Sequence, residues 1–327
     1  MPLLPYWLYL SLKSKSLTYF TAVNPAIPHS GVFGESKSEI LRLIESQFLP
    51  QSIFLKPEDS YEKVLIKMAS IGLKFPIVVK PDIGERGMKV AKIDNSDELK
   101  AYLYHVNEKL IIQAFVDDPI ELGVMYYKNP TTGQSGISSI VLKEFMRVTG
   151  NGKDSLRTLI KQNERFLLQL ENLELKYDLE MLLDDGEELF LQPIGNHCLG
   201  TKFLSGQHLI TDELVEVFDH IGSNISGFYQ GRFDLKVRDL EGLYKGEGIT
   251  ILELNGVTSE PGHIYDPKYS LLKAYRDTMA HMRITSDISI ENQKRGITVT
   301  PFNQIIKLII NHFSNNTVER KDQQKLP

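Results

Sequence analysis

The chain has 327 residues, 42% of them hydrophobic and 24% charged, with 37 basic against 42 acidic side chains and a net charge of −5. That is the composition of an ordinary globular protein with one large domain or roughly two to three lobes, and the acidic balance argues against a general nucleic-acid binder. A single cysteine, Cys198, excludes an intrachain disulfide and a cysteine-cluster metal site and suits a reducing compartment.

The stretch Leu3 to Leu12 is apolar, with Trp7 flanked by Tyr6 and Tyr9. It is shorter than the ~20 residues a membrane helix needs and lacks the basic start and small-residue cleavage site of a signal peptide. Its aromatic composition would suit a membrane surface, but docking onto the protein's own core is the favoured expectation. Leu17 to Val23 reads as a short β-like run, and Asn24 to Gly31 as an extended loop, because each proline pushes its predecessor out of helical space. Ser36 and Glu39 have capping-box spacing ahead of a helix over 39–47, with Ile40, Leu41, Ile44 and Phe48 on one face. A strand follows at 52–55. Asp59 or Ser60 then caps a helix over 61–71 that Gly72 stops.

The next segment carries chemistry. Ile77 to Val79 reads as a buried strand that delivers Lys80 to its end, and Pro81 opens a turn punctuated by Gly84 and Gly87 before a second apolar run from Met88. Glycines let backbone N–H groups close on phosphate oxygens, and Lys80, Arg86 and Lys89 supply positive charge. A solvated surface hairpin is the alternative reading, and short glycine motifs recur by chance.

A helix capped near Asn95 runs to about His105, and strands follow at 110–116 and 120–127. A loop over 131–139 precedes a strand over 140–148. A turn at 149–155 feeds a helix over 156–170, and 188–193 reads as a strand. Thr211 or Asp212 caps an amphipathic helix. Gln230 to Val237 alternates strictly, which puts Arg232, Asp234 and Lys236 on one face. After a charged, hairpin-like stretch over 238–247, Gly248 to Asn255 places Glu253 and Asn255 together at a strand's end. A last amphipathic helix spans 302–313, ahead of a polar tail. The sequence of helices and strands is that of an α/β or α+β enzyme.

Asp234, Glu253 and Asn255 on neighbouring strands form an all-oxygen set of the kind magnesium prefers. Alternating polar residues on a half-exposed strand are more often just a solvated face. Glu253, however, sits in an otherwise apolar strand, where an isolated carboxylate calls for a partner cation. Lysine and glycine-loop groups from one side and carboxylates with Mg²⁺ from the other would together make a phosphoryl-transfer site.

These motifs resemble the ATP-grasp superfamily, in particular its D-alanine–D-alanine ligase-like and cyanophycin synthetase-like carboxylate–amine ligases. The resemblance covers roughly Lys37 to Pro267. Pro76, Val79, Lys80, Pro81, Gly84 and Gly87 match P-x-x-V-K-P-x-x-G-x-x-G, and Arg232, Asp234, Glu253 and Asn255 match R-x-D followed by E-x-N. The resemblance implies an α+β ATP-grasp fold, two α/β lobes with mainly antiparallel sheets enclosing the nucleotide. It divides the chain into an N-terminal aromatic segment (1–36), a small lobe with the glycine loop (37–118), a large lobe with the metal site (119–289), and a C-terminal helix and tail (290–327). ATP would meet Lys37, Lys80, Gly84, Glu85, Arg86 and Gly87. The base-reading hinge would be Gln113, Ala114, Phe115 and Val116, with Glu121 on the ribose. Asp234, Glu253 and Asn255 would hold Mg²⁺, with Mn²⁺ as an alternative ion, and Arg232 would steady the transferring group.

Glu85-Arg86 replace the serines of the D-alanine ligases, Gln113 replaces the usual hinge glutamate, and only 36 residues precede Lys37 where those ligases have a whole domain. Val148 to Lys153 is similar to the T-G-D-G-K loop of peptide-forming members. Arg147, His197, Glu260 and His263 are candidates for substrate contact. The expectation is a cytoplasmic, ATP- and Mg²⁺-dependent ligase joining a small-molecule carboxylate to an amine, with no nucleic-acid partner. A homodimer and peripheral membrane contact through the N-terminus stay open. The alternatives are a carboxylate–thiol ligase, a kinase, or a non-catalytic ATP-binding scaffold.

Overall fold

The structure, a computed structural model, describes residues 3–32, 34–84, 87–192, 195, 197 and 200–311. Helix α1 (Leu3–Lys13) packs against a long helix near the other end of the chain, Leu271–Lys294. The run at 17–23 is not extended. It forms a 3₁₀ turn, Tyr19–Ala22, and side chains of the long helix take its carbonyls. Ser289 donates to the Tyr19 oxygen, and Asn292 donates to those of Ala22 and Val23. Helix α2 (Lys37–Leu41) is capped by Ser36, whose Oγ accepts from the Glu39 N–H. It is shorter than expected, yet Ile40, Leu41, Ile44 and Phe48 are all buried, in the core beneath the larger sheet.

Strands β1 (Ser52–Leu55), β2 (Ile77–Pro81), β3 (Ala91–Ile93) and β4 (Leu110–Ala114) form an antiparallel sheet in the order β1-β4-β2-β3. Helices α3 (Tyr61–Ser70) and α4 (Ser96–His105) supply Val64, Met68 and Leu99 to its core. Ser60 and Asn95 cap them. Strand β3 starts at Ala91 rather than Met88, since Gly87 (φ +73°) and Lys89 (φ +55°) hold that stretch in a turn.

The second sheet has the order β11-β10-β5-β6-β9 and is also antiparallel. Its strands are β5 (Ile120–Lys128), β6 (Ser135–Glu144), β9 (Lys202–Ser205), β10 (Gln230–Val237) and β11 (Ile249–Asn255). The glycine- and serine-rich stretch expected as a loop is therefore half strand: pairing with β5 overrides its weak β propensity. After Glu144 the chain leaves this sheet. Strands β7 (Arg147–Thr149) and β8 (Glu188–Phe190) make a separate ribbon. The helix expected over 156–170 is broken into α5 (Leu156–Lys161), α6 (Glu164–Leu167) and α7 (Leu170–Glu174). Asn163 accepts from the Arg165 N–H and so diverts the backbone into a new cap. Ribbon and helices share a small core around Met146, Leu156, Ile160 and Leu191.

Helix α8 (Asp212–Ser223), capped by Thr211, buries Leu214, Phe218 and Ile221 against the large sheet. The stretch 238–247 is not a hairpin tip but a short helix, α9 (Leu240–Lys245). Asp239 caps it and Gly246, at φ +73°, closes it. The long helix is α10 (Leu271–Lys294); no periodic apolar stripe announces it, because its buried face is His281, Thr285, Ser286, Ser289 and Asn292 beside Ile288. A further helix runs over 302–311. No described helix is long and apolar enough to cross a membrane.

Candidate active site

Strands β10 and β11 put Arg232 opposite Asn255 and Asp234 opposite Glu253. Beyond that pair the register slips, so Leu252 has no partner on β10. A residue left over in a bulge frees its backbone groups, and the Leu252 carbonyl accepts from Lys80 Nζ at 2.9 Å. Lys80 comes from the end of β2, in the other sheet. Burial pulls its ammonium down to about 8, with the negative charge of Glu253 opposing the shift. Lys37, in the first turn of α2, reaches the same place: its Nζ donates to the Gly84 carbonyl and lies 3.4 Å from Glu253 Oε1. Asp82, at the head of the glycine turn, fixes that helix start by accepting from Ser36 Oγ at 2.8 Å and the Ser38 N–H at 2.7 Å.

Asp234 is the hub. Its Oδ2 accepts from Arg232 Nε and Nη2, both at 3.2 Å, and from Asn255 Nδ2 at 2.8 Å. Its Oδ1 lies 3.0 Å from Lys143 Nζ, but no donor meets that buried oxygen in hydrogen-bonding geometry. Burial alone would push the carboxyl up, but the charges of Arg232 and Lys143 outweigh it and hold Asp234 below the usual carboxylate range. Burial would likewise lower Arg232, yet the Asp234 charge and hydrogen bonds keep it above its ordinary value. Gly123 on β5 makes room for this pair, since a Cβ there would come within 3.1 Å of Asp234 Oδ1 and 3.2 Å of the Arg232 Cδ.

Two cations here were not among the expected site residues, although strand alternation puts Lys236 on the face of Arg232 and Asp234. Lys143 is buried on β6 between Asp234 and Glu121, 2.9 Å from Glu121 Oε1. Burial works against its charge, but the two carboxylates prevail and hold it protonated well above the ordinary range. Lys236, on the same face of β10, donates to the Val116 carbonyl at 2.9 Å. Its Nζ stands 5.4 Å from the Phe115 ring centre and 5.3 Å from that of Phe145, and burial lowers its pKa. Each lysine closes or interrupts an apolar strand, which was the available signal.

Of the expected hinge, Gln113 is buried and donates to Ser52 Oγ at 3.1 Å. Ala114 ends β4, and Phe115 and Val116 lie beside Lys236. Gly195 passes directly over the Glu121 carboxylate, with no space for a Cβ. Glu85 and Arg86 lie outside the described residues, as does Cys198.

The four expected substrate residues separate. Glu260 accepts from the Tyr265 hydroxyl and adds its charge to the field at Arg232. His197 joins them through Tyr265, with ring centres 5.5 Å apart, and meets Arg165 Nη2 at 3.0 Å. Burial and the Arg165 charge lower its pKa. His263 is fully buried, with Nδ1 2.7 Å from Ser139 Oγ and Nε2 3.2 Å from Asp277 Oδ2. It braces the loop after β11. Arg147 is exposed on β7 and paired with Glu188 at 3.1 Å. Among the described residues no three His, Cys, Asp or Glu side chains converge as a metal centre. The candidate set is two carboxylates and an amide.

Residues 39–122 match the family described as the RimK-like ATP-grasp domain. That match falls on the part of this α+β fold that carries the smaller antiparallel sheet, from which Lys80 reaches the Asp234–Glu253 pair beside Lys37 of α2. The chain is 27% identical over 135 residues to a D-alanine–D-alanine ligase of Staphylococcus haemolyticus, a match covering 39% of this chain and 38% of that relative. Among solved structures it is similar to a D-Ala:D-Ser ligase from Enterococcus faecalis, at 14% identity and TM-score 0.43 over 78% of this chain and 60% of that one. A D-alanine–D-alanine ligase from Bacillus anthracis matches at 15% identity and TM-score 0.43, over 80% and 68%. The chain thus spans under two-fifths of the curated relative it matches.

Proposed function

We propose that this protein is an ATP- and Mg²⁺-dependent carboxylate–amine ligase working through an acyl phosphate. One observation carries the reading: Arg232, Asp234, Glu253 and Asn255 stand in register on paired strands, with Lys80 from the other sheet ending at Leu252 and Lys37 from α2 at Glu253. Lys80 and Lys37 would take the phosphates, and Glu121 the ribose. Phe115 and Val116 would border the base. Asp234, Glu253 and Asn255 would hold Mg²⁺; their hard oxygens suit it, and the buried Asp234 Oδ1, lacking a hydrogen bond, has a lone pair to offer. Bound there, the ion neutralises phosphate charge.

A substrate carboxylate oxygen would attack the γ-phosphorus, and the bond to the β-phosphate oxygen would break, releasing ADP. The amine nitrogen then forms a bond to the acyl carbon as the carbon–oxygen bond to phosphate breaks, and a proton leaves the nitrogen. Arg232, held by Asp234, would steady the oxygens of the transferring group. Glu260 with Tyr265 would supply a negative locus for the incoming amine. The expected location is cytoplasmic. ADP release from ATP with pooled carboxylates and amines, and product detection by mass spectrometry, test the reading. Glu253→Gln and Lys80→Ala should each lower turnover about a hundredfold or more with the circular dichroism spectrum kept. Mg²⁺ with a non-hydrolysable ATP analogue should raise the melting temperature of the parent but not of Glu253→Gln. Full turnover in either variant would sink the assignment, and transfer only to thiols or hydroxyls would redirect it to the other ATP-grasp chemistries.

A further inference from the structure

Helix α1 leaves three of its leucines exposed. Its buried positions are Leu10 and Ser11, and Ser14, just past its end, is buried too. Ser14 Oγ lies 2.8 Å from Ser286 Oγ of α10, and Gln293 donates to the Ser14 carbonyl at 3.4 Å. Leu4, Leu8 and Leu12, spaced one helical turn apart, are 54%, 45% and 80% exposed. A helix that docks only to complete its protein's core turns its leucines inward. Small polar residues in a helix–helix seam with leucines outside are the arrangement of helices whose surroundings are lipid. A second stripe repeats the pattern. Phe302, Ile306 and Ile310 are exposed at the same spacing, and the segment leading to them is tied to the base of α1. Thr18 Oγ1 donates to the Thr300 carbonyl at 2.7 Å, and the Thr300 N–H donates to Thr21 Oγ1 at 2.8 Å.

Charge and aromatic content favour one occupant. Residues 1–34 contain no Asp or Glu in a chain of net charge −5. At the end of α1, Lys13 and Arg283 share Asp287, at 2.6 and 3.6 Å, and Lys15 is exposed beside them, so cations outnumber the acid there. Tyr6, Trp7 and Tyr9 sit along the helix, the two tyrosines stacked with ring centres 6.0 Å apart. Such rings settle at the headgroup level of a bilayer, with lysines reaching the phosphates. Asn315 to Pro327 carries Val318 and Leu326 as its only aliphatics besides the final proline.

We propose that the α1 face is a peripheral docking surface for an anionic lipid bilayer, on which Leu4, Leu8 and Leu12 enter the interface and Lys15 meets headgroup phosphates. Trp7 is the chain's only tryptophan, so its fluorescence reads the event directly. With the full chain, vesicles of phosphatidylcholine mixed with phosphatidylglycerol should shift Trp7 emission to shorter wavelength and co-sediment the protein. Phosphatidylcholine alone should do so more weakly, and added salt should narrow the difference. Changing Leu4, Leu8 and Leu12 together to Ser should cut partitioning by about tenfold or more with the melting curve unchanged. No emission shift on either vesicle would overturn the proposal. So would self-association in sedimentation that the triple variant abolishes, because a second copy would then be the occupant. Equal binding to neutral and anionic vesicles would overturn its anionic part.

Discussion

Lys143 is where the site's electrostatics are most exposed to a single change. It is one buried cation serving two buried carboxylates, Glu121 and Asp234. Removing one member of such a set leaves its partners charged and desolvated, a loss of about 3–5 kcal/mol. Lys143→Met should therefore lower the urea midpoint strongly, and added Mg²⁺ should return part of the loss if the carboxylates accept it. Unchanged stability in that variant would show the carboxylates to be solvated or protonated. Arg232, Asp234, Glu253 and Asn255 were legible in the sequence because alternation fixes which residues share a strand face, and Lys80 because it ends an apolar strand ahead of a glycine turn. Lys143 was not, since Lys128 also ends an apolar strand and pairs with Asp219 near the surface instead. Only the neighbouring strand tells the two apart. Arg147 lies on the separate ribbon that follows β6, where it pairs with Glu188.

Among the elements, α10 shows what hydrophobic periodicity misses. Its buried stripe is polar and bonded to backbone of the N-terminal segment, so nothing in a hydropathy pattern marks it. Within it His281 is buried, its Nδ1 3.3 Å from Gln230 Nε2. Burial lowers its pKa from 6.5 to about 4, and the hydrogen bond to the Ser259 backbone opposes this only in part. Below its folded pKa the ring must charge inside the protein, while the unfolded chain already takes the proton near 6.5. Stability is thus fully present above about 6.5 and falls as pH drops toward 4, by up to about 3 kcal/mol. Melting temperatures across that window should flatten in His281→Gln. An unaltered slope would assign the acid sensitivity to other groups.

At the scale of the molecule, two lobes with mainly antiparallel sheets were expected from the resemblance that the motifs carry, while the strand order within each sheet was not read. Nor was the role of residues 14–32, because it rests on close backbone approach. The Val257 N–H donates to the Ser30 carbonyl at 2.9 Å and Thr258 Oγ1 to that of Gly31 at 3.0 Å, so this segment forms a floor for the loop after β11. A Cβ on Gly256 would stand 2.4 Å from the Ser30 oxygen and 2.8 Å from the Gly31 Cα. Neither backbone can yield without moving the loop. Gly256→Val should lower the melting temperature by about 5 °C or more, as scanning calorimetry would show; a wild-type transition would mean that floor and loop are free to part.

The bulge at Leu252 has a consequence for how anything binds there. Lys80 is bonded to a backbone oxygen of the opposite sheet, and Lys37 to Gly84. A phosphate that claims these ammonium groups displaces protein rather than solvent, so entry is an exchange of partners. The lysines that would greet the ligand are also the latch between the sheets, and observed affinity is the difference between two good bonds. Opening and recognition are then a single event, with selectivity resting on whether the newcomer outbids a carbonyl.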